Sequence, residues 1–350
     1  MRQQSFSDAE YAGKKKQTRR EVFLEEMDRA VPWSKLEALI APYYPRAGNG
    51  RQPYPLSAML RIHCLQQWYA LSDPAVEEEL YEIASMRRFA GLSLSHGTVP
   101  DETTILNFRH LLERHNLSVA IFEAVKKHLK GAGLLLRQGT IVDATIIAAP
   151  SSTKNSTGKR DPQMHQAKKG NQWYFGMKAH IGADADSGLV HSVIGTAANV
   201  GDVTQADALL HGQEEEAFGD AGYTGVENRP EARPGVVWRV AMKAGKRRTL
   251  GTSVLSRILE RLEQLKASVR SRVEHPFRVI KRQFGYTKVR YRGLAKNTAQ
   301  LHMLFALASQ HLDGASQAAA DRIAASRRRP GRRNSQRPSR SQGRQRRLKV

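Results

Sequence analysis

Three acidic residues stand where burial or tight backbone makes a carboxylate costly. Asp143 lies inside TIVDATIIA, flanked by apolar and β-branched residues. A lone buried carboxylate there costs several kcal/mol unless it is paired or binds a cation. Asp220 lies in AFGDAGY, between Gly219 and Ala221 with Gly222 next, and such small neighbours let a backbone or a ligand approach closely. Glu274 sits in a long helical pattern. Leu255, Leu262, Leu265, Val269, Val273, Phe277, Ile280 and Phe284 recur mostly at three- and four-residue steps and predict one buried stripe. Arg270, Glu274 and Lys281 each follow a stripe residue, so they form a second row turned by about 100°. Pro276 removes one backbone bond and is expected to kink this helix near Arg272, re-aiming Glu274. Each acid also has an ordinary reading: a salt bridge, a turn aspartate, or intrahelical pairing worth about 0.3–0.5 kcal/mol. Taken together, three carboxylates on two strands and one helix suit a pair of divalent ions about 3.5–4 Å apart, the arrangement that serves phosphodiester chemistry. Their hard oxygens match two Mg²⁺, with Mn²⁺ as a substitute. The chain has no GxxxxGK[ST] phosphate loop, so an ATP-driven engine is not expected.

The elements that would carry these residues follow from periodicity. Residues 1–20 read as a flexible basic arm, and residues 21–135 as a helical DNA-binding domain. Helices are predicted over Phe23–Ile40, over Leu56–Trp68, after an Asp73 cap, after an Asp101 or Thr103 cap, and over about Leu117–Lys130. Short helices with brief connections suggest a helix-turn-helix, with Arg87, Arg88, Arg109 and Arg114 as DNA contacts. Residues 136–312 change character. QGTIVDATIIAAP reads as a strand and SSTKNSTGKRDPQMHQAKKGNQ as a polar loop. WYFGMKAHIGAD and LVHSVIGTAANV read as two strands around a turn at Asp186, Ser187 and Gly188. Asp202 is expected to cap a helix through Leu210, strands to end at EEEAFGDAGY and VVWRVAMK, and one long helix to run from about Leu250 to Phe284. QLHMLFALASQHL predicts a further buried helix. The order is mixed α/β with a β-meander opening. Residues 313–350 read as a disordered Arg-rich tail.

The charge narrows the partner. The 350 residues carry a net +23. The tail accounts for +10 of it, from twelve Arg and Lys against Asp313 and Asp321, which leaves +13 on residues 1–312. A basic body as well as a basic tail points to double-stranded DNA or to RNA. Cys64 is the only cysteine, which excludes an intrachain disulfide and a cysteine-based zinc site. No apolar run reaches membrane length, and the polar N-terminus lacks a secretory h-region. The expected location is cytoplasmic and nucleoid-associated, with no membrane partner.

The chain resembles DDE transposases of bacterial insertion sequences, most closely the insertion-sequence-five group. The resemblance runs through KKKQTRREVFLEEMDRAVPW, RQPYPLSAMLRIHCLQQWYALSDPAVEEELYEIASMRRFAGLSL and PDETTILNFRHLLERH. It continues through IVDATIIAAPSSTKN, RDPQMHQAKKGNQWYFGMKAHIG, FGDAGYTG and SRVEHPFRVIKRQFGYTKVRYRGLAKN, to about residue 312. It implies an α/β chain: a ribonuclease H-like catalytic domain, its mixed sheet flanked by helices, behind an all-α helix-turn-helix-like DNA-binding domain. Asp143, Asp220 and Glu274 would be the catalytic and metal-binding triad. The family signature Y-x-x-R-x-x-x-E-x-x-x-x-x-x-K is matched by Arg270, Glu274 and Lys281, whereas its tyrosine position is Ala267. By this resemblance Arg270 and Lys281 would bind end-DNA phosphates. Lys178 and His180 of FGMKAH would face the same cleft. The implied function is binding of terminal inverted repeats, hydrolytic cleavage at the element ends and transesterification into target DNA, by a homodimer or larger synaptic complex. The rival readings are a ribonuclease H-like nuclease without strand transfer and an inactive or domesticated DNA-binding protein. The 54-residue interval from Asp220 to Glu274 leaves no room for the large β insertion of some relatives.

Overall fold

The computed structural model describes residues 16–94, 97–135, 139–155 and 158–328, with side chains as far as Gly314. Residues 1–15 of the expected arm and 329–350 of the expected tail lie outside the described residues. Among the described residues, seven helices come first: α1 (Arg19–Ala30), α2 (Trp33–Ile40), α3 (Leu56–Trp68), α4 (Asp73–Glu82), α5 (Ala84–Phe89), α6 (Glu102–Arg114) and α7 (Leu117–Gly131). Their ends follow local chemistry. Thr18 and Glu21 form a reciprocal capping box at α1, and Asp101 caps α6 through the Thr104 amide. The helix expected over Phe23–Ile40 is broken at Val31–Pro32, because Pro32 cannot continue it. Ser72, not Asp73, caps α4. The Asp73 carboxylate instead accepts from Arg109 at 3.0 Å and from Gln66 at 2.8 Å.

Six strands follow: β1 (Gly139–Ala148), β2 (His165–Lys169), β3 (Gln172–Asp184), β4 (Val190–Ala197), β5 (Glu216–Gly219) and β6 (Val237–Val240). They form one sheet in the order β2-β3-β1-β5-β6, with β4 also paired to β3. β1 runs antiparallel to β3 and parallel to β5, and β5 runs parallel to β6. An antiparallel opening followed by parallel strands on the far side of β1 is the mixed, ribonuclease H-like arrangement. The β3–β4 turn is closed by the Asp184 carboxylate, which accepts from the Asp186 and Ser187 amides, and Gly188 supplies a left-handed φ of 72°. β2 corrects the expected polar loop. Its signal is Gly170-Asn171, a two-residue hairpin between Lys169 and Gln172.

Beyond β6 lie α8 (Ala244–Arg248), α9 (Val254–Arg270), a 3₁₀ turn at Ser271–Val273, α10 (Glu274–Arg278), a π turn at Val279–Gln283 and α11 (Leu294–Arg328). The single helix expected from Leu250 to Phe284 is therefore broken. The 3₁₀ turn falls where Pro276 deprives residue 272 of its helical donor. The π turn is closed by the Phe284 amide donating to the Val279 carbonyl. The break also splits the predicted apolar stripe. Val273, Phe277, Ile280 and Phe284 are buried, whereas Leu255, Leu262 and Leu265 are exposed. α9 touches the body through polar groups instead. Glu263 accepts from the Met242 amide at 2.8 Å, Lys266 Nζ donates to the Val240 carbonyl at 3.0 Å, and Arg247 holds Glu260.

The larger of two hydrophobic clusters among the described residues runs from Leu24 and Trp68 through Ile141 and Ala179 to Phe277 and Phe305, and the smaller one gathers Val142, Leu209, Ala217 and Tyr223. Residues up to Gly314 belong to one compact unit. α11 explains the continuity. Leu301, Met303, Leu304, Phe305, Ala306, Leu307 and Ala308 are all buried, so this stretch of the helix is covered on every side. Its Gln300 meets Gln67 of α3, and its Phe305 meets Phe277 of α10. Among the described residues, no helix is long and apolar enough to cross a membrane.

Candidate active site

Strand register brings the first two acids together. Ile141 of β1 pairs with Phe218 of β5 in parallel. Two residues further along each strand come Asp143 and Asp220, on neighbouring strands about 4.8 Å apart and on one sheet face. Each carboxylate is steadied by a backbone donor. Asp143 Oδ1 accepts from the Ala144 amide at 2.7 Å, and Asp220 Oδ1 from the Gly222 amide at 2.8 Å. Phe277 of α10, Val273 of the 3₁₀ turn before it and Ile280 of the π turn after it share the core with Ile141. Glu274, the first residue of α10, is thereby carried to the strand ends.

Asp143, Asp220 and Glu274 line one cleft of about 540 Å³. Its other charged walls are Lys168, Lys169, Lys178, Arg270, Arg278, Lys281 and Arg282 on the basic side and Asp202 on the acidic side. Burial pushes the Asp143 carboxyl up to about 6. The charges of Asp220 and Glu274 push the same way, against the hydrogen bond from the Ala144 amide and the charge of Arg270. Loss of water around Asp143, more than its neighbours' charges, is what makes its ionised form costly here. Arg270 Nε is buried with no hydrogen-bond partner.

The other expected contact residues are placed differently from one another. Lys281 lines the cleft, but its Nζ also donates to Thr145 Oγ1 at 2.6 Å and to the Ile146 carbonyl at 3.0 Å, fastening the π turn to β1. Lys178 and His180 pair across from Ile146 and Ala144, so they leave β3 on the face opposite to Asp143. Lys178 Nζ donates to Asp202 Oδ1 at 2.9 Å and to the Val200 carbonyl at 2.7 Å. His180 is fully buried beside Thr196, and burial lowers it to about 4, so in this structure its ring is not a surface group. Arg109, expected at a DNA surface, is buried between Asp73 and Glu113 and stacks over Tyr291 at 4.4 Å.

Asp202 and Tyr223 escaped the sequence reading. Asp202 was expected to cap a helix. The segment instead forms two 3₁₀ turns, Asp202–Gln205 and Asp207–Leu209, and frees its carboxylate for Lys178. Tyr223 is buried with an unpartnered hydroxyl, and burial, then Asp143, Asp202 and Asp220, push it far above the usual phenol range. Spacing alone carries no signal for either, since both depend on chain segments folded against β1. A separate group, His191, His211 and Glu214, places ligand-type atoms within 4.8 Å of one another. It is already joined by hydrogen bonds: Thr140 Oγ1 donates to Glu214 and contacts His191 Nε2, and His211 Nδ1 accepts from the Gln213 amide.

No solved structure matches the chain. A family model described as a transposase domain (DUF772) matches residues 12–111, the helical part. The model described as the transposase DDE domain matches residues 135–309, which hold β1, β5, α10 and every wall of the acidic cleft. With half of its length matched, the chain belongs to the DDE transposase family and is a DNA transposase.

Proposed function

We propose that the cleft of Asp143, Asp220 and Glu274 cleaves the ends of an insertion sequence and joins them to target DNA. The observation that carries this reading is the convergence of three acids, 77 and 54 residues apart in sequence, in one cleft rimmed by lysines and arginines. Transposases of this family use divalent metal ions. The residues fit such a group: three hard oxygen donors line one cleft with room beside them, and the most buried of them, Asp143, gains from a cation that replaces lost water. When bound, two Mg²⁺, or Mn²⁺ in their place, supply activation of the attacking oxygen and stabilisation of the leaving oxygen.

The protein side chains position the DNA. Lys168 and Lys169 on β2, with Arg278 and Arg282, offset phosphate charge along the cleft. Arg270 and Lys281 stand beside the acids, where a scissile phosphate would lie. Lys178 is held by Asp202 and so presents a fixed rather than a mobile charge. In this reading water attacks the end phosphodiester and releases a 3′-OH. That hydroxyl then attacks a target phosphodiester, one bond breaking as one forms, so no ATP is consumed. Two ends must react together, which calls for a homodimer or a larger synapse.

Asp143→Asn, Asp220→Asn and Glu274→Gln are each expected to reduce Mg²⁺-dependent cleavage of a matched inverted-repeat end on the order of a thousand-fold or more, with end binding retained. Full cleavage by any of the three removes that residue from the site. Cleaved product without joined product would leave a nuclease.

A further inference from the structure

α9 is docked the wrong way round for an ordinary amphipathic helix. A polar row through Glu260, Glu263 and Lys266 faces the body, and its aliphatic row faces solvent. Val254 is 66 % exposed, Leu255 69 %, Ile258 52 %, Leu259 37 %, Leu262 48 % and Leu265 51 %. Leu255, Ile258, Leu262 and Leu265 repeat at steps of three and four, the a and d spacing of a helix that packs against another helix, before Val269 turns into the core. The helix is held firmly in this orientation. Ser253 caps it, Glu263 and Lys266 bind the backbone at Met242 and Val240, and Glu260 pairs with Arg247.

The structure assigns this row of α9 as an interface between two copies of the chain. Area and pattern favour a second copy. The exposed row offers roughly 600 Å² of apolar surface, the top of the range for the largest patch on a monomer. Pairing the row with itself would cover about 1,200 Å², where stable specific interfaces begin. A three-four row is self-complementary, because the knobs of one helix fit the holes of an identical one. The chain's own ends make poor occupants. Residues 1–15 and 329–350 are polar with few aliphatic residues, and 329–350 is also strongly basic, the same sign as Arg257, Arg261 and Lys266 on α9. α9 runs directly into the turn that carries Glu274, so this pairing would hold two cleavage sites at a set distance. The last point rests on the proposed function; the pairing itself does not.

The test is the mass of the full-length, nuclease-treated chain by light scattering and sedimentation at about 10 µM, in 0.15 M and 1 M NaCl, without DNA or metal. A dimer is expected at both salts, since apolar contacts are not screened. The double variant Ile258→Glu/Leu262→Glu should weaken it at least about 100-fold and leave a folded monomer with unchanged far-UV circular dichroism and Tm. The milder Leu255→Ser/Leu265→Ser should weaken it less and keeps the result readable if the first variant aggregates. A monomeric wild type, a dimer that dissolves in 1 M salt, or folded variants that remain fully dimeric would each overturn the inference. None of these outcomes bears on the acidic cleft, and failure of the carboxylate variants to lose cleavage would not bear on the dimer.

Discussion

Asp220 shows how little separates a turn aspartate from a placed one. Its carboxylate is held by the Gly222 amide, and a Cβ on Gly222 would stand 2.8 Å from Asp220 Oδ1. The clash is with the end of a side chain, so the fold can absorb it, but the carboxylate must move. Gly222→Ala is expected to change stability by no more than about 1 kcal/mol while lowering end cleavage at least about tenfold. Thermal unfolding and a cleavage assay on the same sample check both halves, and an active, stable Gly222→Ala would show that Asp220's position tolerates error. The neighbouring glycine was visible in the sequence as a sign of close approach. Asp202 was not, because a carboxylate three residues before a helical-looking segment reads as a cap, and only the 3₁₀ turns send it to Lys178.

At the scale of elements, the decisive feature is the break between α9 and α10. Periodicity found the apolar row correctly but joined two rows that face different surroundings. Pro276 and the π turn interrupt the helix, so residues 254–270 and 274–284 are aimed separately. Lys281 holds the second half in place. Replacing it with Met leaves the Ile146 carbonyl and Thr145 hydroxyl without their donor, and Lys281→Met is expected to destabilise the chain by about 1–3 kcal/mol. A lysine that served only to meet DNA would leave Tm unchanged, so denaturant unfolding separates the two roles. By contrast Leu265→Ser should cost the isolated chain less than about 0.5 kcal/mol, because that side chain is half exposed.

Across the whole molecule, a shared core ties the helical part to the sheet, and it encloses groups that must stay uncharged. His63 is buried against Phe108, and burial, reinforced by Arg109, lowers it to about 4. The unfolded chain takes up this proton near pH 6.5 and the folded chain only near 4. Stability is therefore complete above pH 6.5 and is lost as pH falls toward 4, by about 3 kcal/mol for this residue alone. His180 adds to the same slope. Urea unfolding between pH 7 and 4 should show the loss, and His63→Gln should flatten it. An unchanged slope in that variant would place the acid sensitivity elsewhere.

The amino-acid sequence alone determined the transposase family, most helices and five of the six described strands, because these depend on local periodicity, caps and residue type, and it singled out the three acids on which the proposed function rests. Tertiary structure decided which face of α9 meets the body, that Arg109 is spent inside, that His180 is buried, and that Asp202 joins the cleft wall. Periodicity reports that a surface is apolar or polar but not what lies opposite it, and these placements depend on partners tens to hundreds of residues away.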